Sequence, residues 1–180
     1  METYPYRNIA ITWIESRTKV ASIGLALGFA IVTALSAQIR VELFFTPVPI
    51  TAQTFMVILS GLLLGKKYGS LSMSFYLSGG ILGLPWFSGS VGGLAILKSP
   101  TVGYLIGFIM ASWLIGQFSN YPYLSILLGT SVIYLFGTIG LSLVLQISIL
   151  EAIKIGVLPF LIGDLIKALA AFGVAKKVNI

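Results

Sequence analysis

The chain has 180 residues, 57% hydrophobic and only 9% charged, with a formal net charge of +6 and a mean hydropathy of +1.02. Soluble domains carry about 25% charged residues, so this composition describes a protein solvated mostly by lipid. With no Cys, no His and five carboxylates, the chain lacks thiol chemistry, disulfides, most zinc and haem ligation and the commonest general base. That leaves an intramembrane enzyme little to work with and implies no metal or cofactor. The cations are scattered singly between apolar runs, a pattern of membrane edges rather than of a nucleic-acid surface.

Residues 1–19 read as a short interfacial helix, with Ile9, Trp13 and Ser16 spaced for one helical side and Trp13 at headgroup level. Apolar spans follow at about 20–39, 51–65, 69–85, 101–118, 123–147 and 157–176. Each is near the ~20 residues that cross ~30 Å of hydrocarbon, the second and third being short. The first span is too long for a signal-peptide core and has further spans behind it, so cleavage at Ala34–Ala37 is not expected. With six spans and both termini cytoplasmic, seven cations fall inside (Arg7, Arg17, Lys19, Lys66, Lys67, Lys176, Lys177) and three outside (Arg40, Lys98, Lys154). This agrees with the positive-inside rule. The expected fold is therefore all-α: one membrane domain, 1–180, of six transmembrane helices.

The first span carries small residues at every fourth position: Ser22, Ala26, Ala30 and Ala34. Such a ladder lets another helix approach closely, either from a separate membrane partner or from within the chain. In the first outer loop, Pro47 and Pro49 enforce an extended stretch, and Phe44 and Phe45 form a lid or a headgroup anchor. Gln53 and Thr54 then open the second span at the outer surface. The stretch Ser60–Lys67 is a failed phosphate-binding loop, lacking the first Gly and the Ser/Thr after Lys. Energy for any transport must come from another subunit or a gradient.

The next outer connection is glycine-rich, allowing tight turns and close approach to a ligand. Trp86, Phe87 and Tyr104 offer a flat apolar wall beside the hydroxyls of Ser88 and Ser90, which is the recipe of a small-molecule pocket or of a re-entrant structural loop. Asp164 and Lys167 lie inside the last apolar run. Ionisable groups there are costly and face an interior or a cavity, and at i, i+3 they share one helical face. If the helix starts near Pro159, they lie roughly 8 and 12 Å below the outer end. They form either a self-neutralising pair or a recognition point for a ligand open to the outside. A channel would carry polar residues through its full depth, and the inner halves of these spans are apolar.

The series PVPIT-x-QTF (47–55), SGLLLG (60–65), GLPWFSG (83–89), GG (92–93), PTVGY (100–104) and GDLIKA (163–168) resembles the BioY family. These are the biotin-specific S components of energy-coupling-factor (ECF) transporters. The match runs in order from about 41 to 176; Trp86, Ser99 and Val102 depart from the family's usual residues. The resemblance implies a six-helix S-component fold in a bacterial plasma membrane, capturing biotin from outside for ATP-driven uptake. It also implies a transmembrane T component and two cytoplasmic ATPases as partners, docked through the Ser22–Ala34 ladder. Asp164 and Lys167 carry over as biotin contacts, with Trp86, Phe87, Ser88, Tyr104 and Gln53 around them and Lys98 as an alternative partner for the ligand carboxylate. An S component for another vitamin-like solute is the alternative reading.

Overall fold

The computed structural model describes residues 9–178; residues 1–8 of the interfacial segment, Arg7 among them, lie outside this range. The order is α1 (Ile9–Glu15), α2 (Lys19–Gln38), β1 (Arg40–Leu43), β2 (Thr46–Thr51), α3 (Gln53–Ile81), α4 (Val102–Gln117), α5 (Pro122–Leu145), α6 (Ile149–Gly156) and α7 (Leu161–Val178), with short 3-10 turns at Leu94–Lys98 and Leu158–Phe160. Among the described residues, three stretches are long and apolar enough to cross a membrane: Lys19–Gln38, Pro122–Leu145 and Ile149–Val178. The protein is mostly helical, and large apolar side chains face outward along α2, α5 and α7, as lipid contact requires.

The second and third expected spans are the two arms of α3. Gly65 takes φ +72 and ψ −178, a backbone conformation essentially reserved for glycine, and the helix doubles back there. A Cβ on Gly69 would touch Ser60 O and Gly61 Cα, and Gln53 reaches Tyr76 in a side-chain hydrogen bond. Neither contact is possible along a straight helix at 1.5 Å per residue. α4 packs against both arms and against α5, where the glycine backbones of Gly103 and Gly140 nearly touch. This is the small-residue packing that holds helices together in lipid. Inside the bundle the buried hydroxyls of Ser60 and Ser112 pair with each other at 2.8 Å.

Four sequence expectations change. The fold is not purely helical, because Arg40–Leu43 and Thr46–Thr51 form an antiparallel hairpin. The two prolines alternate along β2, which pairs with β1 on one side only, so they sit where no ladder donor is missed. α6, capped by Ser148 accepting from Glu151 N, was expected only as a connection. Pro159 lies in the 3-10 turn before α7 rather than in its first turn. The fourth change concerns Ser22, Ala26, Ala30 and Ala34, which turn inward: all four are buried within the chain, where α2 packs on α3. In-chain packing, the alternative given above, accounts for the burial of all four. The open face of α2 bears Gly24 and Gly28, where an added Cβ would meet nothing within 4 Å beyond its own stretch of helix.

The two ends of the bundle differ. One receives α1, the turn of α3 and Val178 of α7, which together line an apolar groove, and Lys66 donates to Gln117 there. Trp13 stands exposed at this end with the Arg17 guanidinium 4.1 Å above its ring. The opposite end carries the hairpin, the 82–101 connection and the start of α7.

A candidate ligand-binding site at the hairpin end

Asp164 lies in the first turn of α7, where the helix N-terminus favours a carboxylate. It is 5% exposed and joins three helices. Oδ1 accepts from Lys167 Nζ at 2.8 Å and from Thr54 Oγ1 of α3 at 2.9 Å. Oδ2 accepts from Tyr134 Oη of α5 at 2.8 Å. The Asp164–Lys167 ion pair foreseen from spacing is therefore formed. A carboxylate offers about four lone-pair sites and an ammonium three N–H donors, so both partners keep capacity for a ligand.

This cluster forms the floor of an inner cavity of about 60 Å³, walled by Val48, Phe87, Tyr104, Leu105, Phe108, Ile133 and Phe160. The walls are positioned by their own packing. Tyr104 lies over Gly137 and donates its hydroxyl to Gly156 O at 2.7 Å. Phe87 lies over Gly80, edge-on to Tyr76. Gln38, at the end of α2, holds the 86–90 loop: its Nε2 donates to Phe87 O at 3.1 Å, and its Oε1 accepts from Ser90 N at 3.0 Å.

A second cavity of about 370 Å³ opens beside the first, lined by Arg40, Glu42, Thr46, Pro47, Ser99 and others. The two share Pro49, Phe87, Ser88 and Thr101 as lining residues, so they lie side by side. Ser88 Oγ, at this junction, is buried without a hydrogen-bond partner. Together the cavities reach the size of small-molecule sites, roughly 300–1,000 Å³.

Of the seven residues foreseen for the site, Asp164, Lys167, Phe87, Ser88, Tyr104 and Gln53 line the inner cavity. Gln53 is occupied: it accepts from Thr51 Oγ1 at 2.9 Å and donates to Tyr76. Trp86 lines neither cavity; its ring lies on Gly79 and stacks parallel to Tyr76, 6.5 Å between centroids. It supports the wall from behind. Lys98 is exposed at the end of its 3-10 turn and also lines neither cavity. Thr54, Tyr134 and Phe160 escaped the sequence reading. Thr54 was placed near the outer surface without a role, and nothing in the run around Tyr134 distinguishes it from a lipid-facing tyrosine.

The fold and site define a helical membrane protein with a solute-sized cavity at one end, polar at its floor and aromatic on its walls. Comparison with known proteins narrows the class. The BioY family model matches residues 11–180. The "Probable biotin transporter BioY" of Pyrococcus horikoshii is 40% identical over 162 residues, 89% of this chain and 98% of that protein. The "Biotin transporter BioY" of Thermotoga maritima is 40% identical over 139 residues, 74% and 82% of the two chains. Among solved structures, the crystal structure of the S-component for biotin from an ECF-type ABC transporter superposes with a TM-score of 0.82 at 27% identity, covering 91% of this chain and 94% of that one. The chain belongs to the BioY family, whose members are transporter components and not enzymes.

Proposed function

We propose that this chain is the S component that captures biotin from outside the cell for ATP-driven uptake by an ECF transporter. The observation that carries the reading is the Asp164 cluster at the inner of two adjacent cavities, in a chain whose relatives are biotin transporters. A ureido ring presents N–H donors and a carbonyl acceptor. Asp164 keeps a lone pair for such an N–H, and Lys167 keeps N–H donors for the carbonyl. The thioether ring and valeryl chain suit the apolar walls of Phe87, Tyr104 and Phe160.

In this reading residues 1–180 form one multi-pass domain in a bacterial plasma membrane, with six spans and both termini cytoplasmic. The two arms of α3 supply the second and third spans. The cation-rich end, with Lys66, Lys67, Lys176 and Lys177, faces the cytoplasm, and the cavity end faces outward. Biotin is cargo, and no cofactor is needed. A T component and two ATPase subunits supply the energy, since this chain has no phosphate-binding loop.

The test is thermal unfolding of the purified protein against a panel of water-soluble vitamins. A ligand at 100 times its Kd stabilises by ~2.7 kcal/mol, so biotin alone should raise Tm by several degrees. A shift with another vitamin and none with biotin would replace the proposed substrate.

A further inference from the structure

We propose that Arg40, on β1, holds the carboxylate of the bound solute at the mouth of the site. The proposal rests on the biotin reading above and names the residue that recognises the far end of the ligand. The inner cavity, at about 60 Å³, is smaller than the space a bicyclic acid with an aliphatic tail needs. A ligand whose polar ring meets Asp164 and Lys167 therefore leads its tail toward the adjacent outer cavity, which shares Ser88 and Thr101 with the inner one. The charged residues lining that cavity are Arg40 and Glu42, so Arg40 is its one cation among the described residues.

The position of Arg40 is built into the fold. Its Cα pairs with that of Thr51 across the hairpin, and directly opposed residues project to the same face. Thr51 lines the inner cavity, so Arg40 is aimed at its rim. The guanidinium lies against Gly89, where any side chain would collide with Nη1. Gly89 itself takes φ +81, a conformation that favours glycine.

Arg40 is also available. Its ion pair is a single contact, Nη1 to Glu42 Oε1 at 3.1 Å, between side chains 41% and 70% exposed. Pairs this exposed contribute little, so a ligand carboxylate displaces Glu42 at small cost and gains the two-pronged geometry of guanidinium. Ser88 Oγ, unpartnered at the junction, lies along the same route.

Binding of biotin and of biotinamide, which keeps the ring and replaces the carboxylate by a neutral amide, separates the possibilities. Each is titrated by calorimetry into the purified full chain, as wild type, Arg40→Gln and Arg40→Lys. Wild type should prefer biotin. Arg40→Gln should weaken biotin about tenfold, the size of a lost hydrogen bond to a charged group, and leave biotinamide unchanged, which also shows that the variant is folded. Arg40→Lys should retain part of the preference. Equal losses for both ligands, or an unchanged affinity for biotin, would overturn the role of Arg40 while leaving the biotin reading standing. Wild type binding neither ligand would overturn both.

Discussion

Asp164 spends its carboxylate on three donors from three helices before any ligand arrives. A buried charge pair is weak evidence for stability, because desolvation offsets much of its Coulomb gain. Leaving one partner unpaired is a different matter. Asp164→Asn strips Lys167, whose side chain is 19% exposed, of its counter-ion and removes the anionic acceptor from the cavity floor. Lys167→Ala removes the donor for a carbonyl and leaves the carboxylate one donor short. Each should weaken biotin binding by about 2–5 kcal/mol, the usual penalty for an orphaned buried partner. Isothermal titration reads this directly, and unchanged affinity in both variants would remove the pair from the site. A Trp86→Phe variant should matter less, because Trp86 touches the wall and not the cavity.

At the level of elements, the site depends on α3 folding back on itself. The turn puts Gln53 and Thr54 at the head of one arm level with Tyr76 near the end of the other. Gly65 makes the turn in a backbone conformation that other residues adopt only at a cost of about 1–3 kcal/mol. A methyl group there would also approach Ile11 of α1 to 3.1 Å. Gly65→Ala should therefore lower Tm measurably in detergent while the folded fraction still binds ligand, since the cavity is at the other end. An unchanged Tm would show that the turn tolerates a side chain. The hairpin contributes in another way: it sets Val48, Pro49 and Thr51 along the inner cavity and Arg40 along the outer one.

At the scale of the whole molecule, the end with the cavity and the end with most cations are opposite ends of one bundle. This geometry gives the proposed orientation a direct test, helped by the absence of Cys from the chain. Phe44, fully exposed at the tip of the hairpin, and Asn120, exposed between α4 and α5, lie at opposite ends. Phe44→Cys should react with a membrane-impermeant maleimide in intact cells, and Asn120→Cys only after permeabilisation. The reverse pattern would turn the protein over and place its cavity on the cytoplasmic side. The outward-facing residues of α7, among them Ile162, Leu165, Ile166 and Leu169, are as apolar as its lipid surroundings. Their exposure is what membrane solvation requires.

Legible in the residues alone were the apolar surroundings, the rough positions of the helical segments and the Asp164–Lys167 pair. Lipid makes charge expensive, so a lone Asp and Lys three apart in an apolar run stand out, and their pairing is local helix geometry. Extended backbone at Pro47 and Pro49 was legible for the same local reason. What surrounds the pair was not legible. Thr54 is 110 residues from Asp164 and Tyr134 is 30 away, and only the reversal at Gly65 and the packing of α5 bring them together. The facing of α2 was equally hidden. In water a helix shows its buried side by contrast with a polar one; in lipid both sides are apolar, and small residues mark close packing without saying against what. Only the packed chain shows that Ser22, Ala26, Ala30 and Ala34 face inward, that Trp86 stands behind the wall, and that Arg40 lines the outer cavity.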